Sequence, residues 1–136
     1  MDFQKSLMIS AAGLKVQSGR MRIIAENLAN ADSAARSPDK DPYRRKIPTV
    51  DTQFDHELGV ELVRLGRVSK DRSDFLKRYE PGSPAADKDG YVKYPNVQPL
   101  IEVVDMQTAQ RTYEANLNAI TSARQMLQRT IDILKG

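Results

Sequence analysis

At 136 residues the chain has the size of one ordinary domain, enough for a modest core and too little for two independent ones. A hydrophobic share of 40% and a charged share of 29% are those of a soluble protein, while 6% aromatic residues and no Trp predict a thin core. The formal net charge is only +3, with Lys and Arg alternating with Asp and Glu, which argues against a nucleic-acid partner, and the absence of Cys excludes disulfides, thiolate metal sites and thiol nucleophiles.

The first segment, residues 1–30, contains no Pro and repeats Leu7, Leu14, Met21 and Leu28 every seven positions, which predicts a helix. Ala11, Ser18 and Ala25 fall between them at the offset of a coiled seam, so large residues face small ones that let a partner helix approach closely. Ile9, Val16 and Ile23 form a second series rotated by about 200° around the axis. A helix apolar on two sides needs more than one neighbour. The opening residues, with Asp2 and one Lys before a short apolar stretch and no cleavage site, are not those of a Sec signal peptide. No window approaches the roughly 18 apolar residues of a membrane span. Any export must use another route.

The middle, residues 31–98, holds Pro38, Pro42, Pro48, Pro81, Pro84 and Pro95 and reads as loop and strand. Tyr43–Val50 and Gly59–Val68 have strand character, and Asp74–Tyr79 and Tyr91–Tyr94 add short strands around Pro81-Gly82 and Asp89-Gly90 turns. The last segment, residues 99–136, repeats Met106, Tyr113, Ile120, Leu127 and Leu134 every seven positions, with Ala109, Asn116, Ala123 and Thr130 three residues after the first four. Its far side carries Ala115, Ala119, Ser122 and Met126. At about 1.5 Å per residue the two helices would run roughly 40 and 50 Å, longer than a small domain is wide. The expected fold is therefore mainly α with a small β element: long N- and C-terminal helices forming a coiled-coil-like pair, with a central loop and β-hairpin insert, together one structural unit.

Chemistry is sparse along this chain. His56 is the single histidine, flanked by Asp55 and Glu57 in an expected loop, with no second His or Cys at ligand spacing, so neither a metal nor a cofactor is expected. Gly13, Gly19 and Gly66 are isolated and read as packing or turn glycines. Tyr43-Arg44-Arg45-Lys46 is weighed as a phosphate or acidic-partner site and, in preference, as an edge strand kept soluble by its charges. Arg64, Arg67, Lys70 and Arg72 are diluted by Glu61, Asp71 and Asp74. Asn27 and Asn30 read as helix-end caps, since Asn tolerates the left-handed conformation that closes helices, and also as contacts that fix subunit register. Asn116 reads as a register-setting polar residue in the C-terminal seam.

Leu14–Ser33 spells LKVQSGRMRIIAENLANADS, and its ENLANADS core at Glu26–Ser33 resembles the N-terminal signature of the flagellar rod, hook and related axial proteins. Gly90–Gly136 resembles the C-terminal region of proximal-rod members, and the tract from Gly90 to Asp105, including YPNV, is what separates these from their siblings. Ser33 stands where relatives often carry Thr. The resemblance implies a structural subunit of the proximal rod, the drive shaft that transmits torque across the periplasm. It implies a basal-body location and partners that are other flagellar rod proteins, copies of itself, the flagellar type III export apparatus and peptidoglycan-proximal components. Export from the cytoplasm then needs no cleaved signal peptide. Termini that gain order on assembly are also implied, as expected of helices whose apolar faces lack partners.

The residues expected to pack between subunits are Leu7, Ala11, Leu14, Met21, Ala25, Leu28, Asn27 and Asn30 at one end, and Met106, Tyr113, Asn116, Ile120, Ala123 and Leu127 at the other. The alternative is a soluble helical adaptor or export-chaperone-like module that holds another protein's helix in its seam. An enzyme is not expected, because no nucleophile, base and orienting group cluster in any motif.

Overall fold

The computed structural model describes residues 2–136. The element order is α1 (Phe3–Ala29), β1 (Lys46–Ile47), β2 (Val50–Asp55), β3 (Val60–Leu65), β4 (Ser69–Lys70), β5 (Leu76–Tyr79), β6 (Tyr91–Tyr94) and α2 (Pro99–Lys135). Both terminal helices and the small central β insert follow the expected fold. Asp2 starts α1 as its cap, Oδ1 accepting the N–H groups of Gln4 at 3.0 Å and Lys5 at 3.3 Å. Pro99 occupies the first position of α2, where a missing N–H costs nothing.

The strands pair as three two-stranded antiparallel sheets, β1–β4, β2–β3 and β5–β6. Two strand expectations need correction. Tyr43–Val50 yields only the two residues of β1, because Pro42 and Pro48 bracket it. Val50–Asp55, expected largely as loop, is a six-residue strand paired along its length with β3. Gly59 and Gly90 take φ of +68° and +86°, the left-handed turns that close the β2–β3 and β5–β6 hairpins.

Two compact units divide the chain. The first holds α1 as far as Met21, Thr49–Arg67 and Gln107–Gly136. Within it Gly13 lies so close to Asn116 that a Cβ would stand 2.7 Å from its carboxamide, and a Cβ on Gly19 would stand 2.8 Å from Leu65 Cδ2. Both glycines are packing glycines, one for a helix neighbour and one for the β2–β3 hairpin. Ser10, Val16, Gln17, Ala109 and Ala123 are buried in this unit. The second unit holds Arg22–Pro48 and Val68–Met106. Its apolar core is Ile23, Ile24, Ala31, Ala35, Ala85, Val92 and Val97, small side chains as the low aromatic content implies.

Of the second apolar series on α1, Val16 and Ile23 are buried and Ile9 is exposed. Ala11, Ser18 and Ala25 are exposed, and Leu7, Leu14, Met21 and Leu28 are half-buried. Burial instead follows Ser10, Gly13, Gln17, Ile24 and Asn27 at helical spacing, with Val16 and Ile23 beside them. Glycine and short polar groups permit a closer approach than leucines do, and hydrogen bonds make that approach affordable for the polar ones. On α2, Met106, Tyr113, Asn116 and Ile120 are half-buried and Ala109 and Ala123 buried. From Arg124 onward every residue is exposed, Leu127 included.

Candidate functional site: a polar clamp beneath an exposed aliphatic surface

The first turns of α2 invert the usual order of burial. In Leu100-Ile101-Glu102-Val103-Val104 the one charged residue is 1% exposed, whereas the four aliphatic ones are 78%, 49%, 43% and 52% exposed. A lone buried carboxylate costs several kcal/mol unless it is paired and hydrogen-bonded, on the order of 3–5 kcal/mol when a partner is removed. Here it is paired. Glu102 Oε1 accepts from Arg45 Nε and Oε2 accepts from Asn27 Nδ2 at 3.3 Å.

Asn27 is the centre of this clamp and is fully buried. Its Oδ1 accepts from the Tyr43 hydroxyl at 2.7 Å and from the Lys46 N–H at 2.9 Å, while Nδ2 also donates to the Lys46 carbonyl at 2.8 Å. Strand geometry explains why Lys46 needs this. Asp71 N–H donates to the Arg45 carbonyl at 2.9 Å, so Arg45 and Asp71 extend the register of the β1–β4 ladder by one position with one of its two bonds. The next residue, Lys46, must turn its main-chain groups to the free edge, and one asparagine satisfies both.

A second asparagine completes the other end of the ladder. Arg45 N–H donates to Asn96 Oδ1 at 2.8 Å, and Asn96 Nδ2 donates to the Asp71 carbonyl at 2.9 Å, so a carboxamide stands where the second strand-to-strand bond would be. Asn96 Nδ2 also reaches the Ser73 carbonyl at 3.2 Å, and Arg44 donates to both carbonyls while lying 4.1 Å from the Phe75 ring centroid. Arg45 itself is 20% exposed and joins Glu102, Asp71 at 3.2 Å and Asp105 at 3.9 Å. Lys46 Nζ pairs with Glu26 at 2.5 Å. No buried side-chain polar atom among the described residues lacks a partner.

Electrostatics follow from these contacts. Burial, then the carboxylates of Glu26 and Glu102, push the Tyr43 hydroxyl up to about 12. Burial opposes the charge on Arg45, but Glu102 and Asp71 outweigh it and hold the guanidinium above its ordinary value. Ser73, through its backbone and side chain, and then Arg45 hold the Asp71 carboxyl below the usual carboxylate range.

The sequence expectations now sort by place. Asn27 is not a helix-end cap, because its side chain is committed to Tyr43, Lys46 and Glu102. Asn30 is one: Nδ2 donates to the Glu26 carbonyl at 2.9 Å and Oδ1 accepts from Ser33 Oγ at 3.3 Å. It does so without the left-handed backbone, since no described residue other than glycine has positive φ. Tyr43, Arg45 and Lys46 are not a solvated charged edge but members of the clamp. Asn116 sits in the helix contact against Gly13, donating to the Thr112 carbonyl at 3.1 Å. His56 is exposed at the β2–β3 turn, edge-on to Phe54 at 5.0 Å between ring centroids. Among the described residues no group of three His, Cys, Asp or Glu could hold a metal, and no helix is long and apolar enough to cross a membrane. Glu102, Asn96 and the aliphatic residues around Glu102 escaped sequence reasoning; a lone acid inside an aliphatic run was the available signal.

The site is thus a closed polar clamp beneath exposed aliphatic residues, the kind of patch that marks an interaction surface. The comparisons agree: residues 88–133 match the family model described as the flagellar basal body rod FlgEFG protein C-terminal. The flagellar basal-body rod protein FlgC of Agrobacterium fabrum is 50% identical over 128 residues, covering 94% of this chain and 92% of the relative. Those of Aquifex aeolicus (38% over 135 residues, 99% of each chain) and Salmonella typhimurium (38% over 125 residues, 92% of each) align as extensively. The chain belongs to the flagellar basal-body rod protein FlgC family. It is a structural subunit of the flagellar basal-body rod and not an enzyme.

Proposed function

We propose that the chain builds the proximal part of the rod by packing its terminal helices, residues 1–30 and 99–136, against copies of itself and other rod proteins, and that torque passes through these side-by-side contacts. The observation that carries this reading is the turn where Glu102 is buried and Leu100, Ile101, Val103 and Val104 face outward. An aliphatic cluster of this kind marks an interaction surface. The exposed end of α2 adds Leu127, Ile131, Ile133 and Leu134, and α1 adds the exposed Ala11 and Ala25 beside half-buried Leu7, Leu14, Met21 and Leu28. In this reading Asn27 and Asn30 act from beneath, fixing the end of α1, while Met106, Tyr113, Asn116, Ile120 and Ala123 seat α2.

The same reading takes the subunit across the cytoplasmic membrane by the flagellar type III export apparatus without a cleaved signal, into a periplasm-spanning rod near peptidoglycan-proximal components. The helical-adaptor alternative requires a monomer folded by itself, so protease-resistant termini in dilute solution, read by circular dichroism with limited proteolysis, would favour it. The test is Leu100→Asp combined with Val103→Asp. Exposed substitutions of this kind move stability by only about 0.5 kcal/mol, so the purified protein should melt as the parent does while rod incorporation and swimming are lost. Normal swimming by this variant would remove the proposal.

A further inference from the structure

The β2–β3 hairpin has a face that its own chain leaves open. Its register pairs Val50 with Leu65, Thr52 with Val63 and Phe54 with Glu61, so these six side chains share one face. At the root of that face Leu65 reaches Gly19 of α1, where a Cβ would stand 2.8 Å away. Beside the root Val50 is 48% exposed, and beyond it Phe54 is 48% and Val63 37% exposed. A two-stranded hairpin standing alone is marginal in water and gains from cover.

Charge and shape select the cover. The hairpin carries Asp51, Asp55, Glu57 and Glu61 against Arg64, and Arg64 is already bonded to Asp51 at 2.6 Å. Helix α1 carries Lys5, Lys15, Arg20 and Arg22 against Glu26. Ala11, Lys15 and Ser18, at i, i+4 and i+7, form an exposed line on α1 with small residues on either side of one cation. The hairpin already docks on a small-residue position of a helix within its own chain, at Leu65 and Gly19. The open continuation of that face offers the same apolar chemistry plus an acid, Glu61, suited to Lys15.

We infer that the open face of the β2–β3 hairpin docks on the Ala11-Lys15-Ser18 line of α1 in a second copy of this chain, with Phe54 and Val63 against the small residues and Glu61 against Lys15. This rests on reading the chain as an assembling rod subunit and names one of the contacts between copies.

Because the chain contains no native Cys, the test is direct. Cells co-express one copy carrying Phe54→Cys and another carrying Ser18→Cys, and isolated basal bodies are oxidised and analysed for covalent dimers. A disulfide joining the two copies is expected. Adding Glu61→Lys should lower its yield about fivefold, the scale of one exposed ion pair, and Lys15→Glu in the other copy should restore it. Gln53→Cys, on the opposite hairpin face, should give little. Basal bodies that contain both copies without the dimer, equal yield from Gln53→Cys, or indifference to both charge reversals would overturn the inference. The rod-subunit reading would stand in those cases, since it falls only if the α2 surface variant assembles and swims.

Discussion

Asn27→Asp is the sharpest perturbation of the clamp, because it preserves shape while exchanging a donor for an acceptor and adding a charge. The two bonds accepted by Oδ1, from Tyr43 and Lys46, can persist. The two donated by Nδ2, to the Lys46 carbonyl at 2.8 Å and to Glu102 at 3.3 Å, become contacts between oxygens. One leaves a buried carbonyl unsatisfied, about 1–3 kcal/mol, and the other sets two carboxylates together in a closed space, for a total of about 3–5 kcal/mol. With a urea slope of about 2 kcal/mol per molar, the midpoint should fall by about 2 M at pH 7. Two carboxylates set together bind a proton more tightly than a free carboxyl, and protonating one restores a donor, so the gap between variant and parent should narrow as pH falls toward about 4 and be smallest below it. A gap under about 0.3 M, or one of the same size at pH 3.5 and pH 7, would refute the role assigned to Asn27.

Other outcomes follow from neighbouring contacts. Gly13→Val forces a branched side chain onto the Asn116 carboxamide and should lower stability by about 1–3 kcal/mol in thermal or urea unfolding. Asp71 and Asp87 have lowered carboxyl values, Asp71 first through Ser73 and Asp87 first through the Tyr91 N–H. Their contribution is present above the ordinary carboxylate range and should disappear as pH falls below about 4, so acid titration of the unfolding midpoint should steepen there and flatten in Asp71→Asn. Tyr43 has the opposite sign: its contribution is whole below its ordinary value of 10.0 and is lost as pH rises toward about 12. Tyr43→Phe should remove that alkaline step. Leu14→Asp with Ile120→Asp, acting on half-buried residues of both helices, should abolish swimming in a motility assay.

What the sequence makes legible depends on whether apolarity reports the packing. The seven-residue repeat in α2 does, since Met106, Tyr113 and Ile120 with Ala109 and Ala123 are the residues turned inward. In α1 it does not. The line that packs is Ser10, Gly13, Gln17, Ile24 and Asn27, in which glycine allows close approach and carboxamides make specific bonds, and neither property registers in a hydrophobic pattern. Strand β2 was obscured for a related reason. VDTQFD is exposed along nearly its whole length, so no burial-driven alternation marks it, and its pairing with β3 is what defines it. The clamp was invisible because Asn27, Tyr43, Arg45, Asn96 and Glu102 come from separate stretches of sequence. Only the folded chain shows that the asparagine resembling a cap and the arginine resembling a solvated edge share one carboxylate.

The buried Glu102 also has a bearing on angular precision. Greasy contacts tolerate a helix rolling a few degrees about its long axis, whereas a carboxylate gripped by a guanidinium and a carboxamide tolerates little. Every molecule therefore displays Leu100, Ile101, Val103 and Val104 at the same azimuth. If α2 packs against neighbouring subunits as proposed, a directional lock at this turn keeps that contact pointing the same way from one building block to the next.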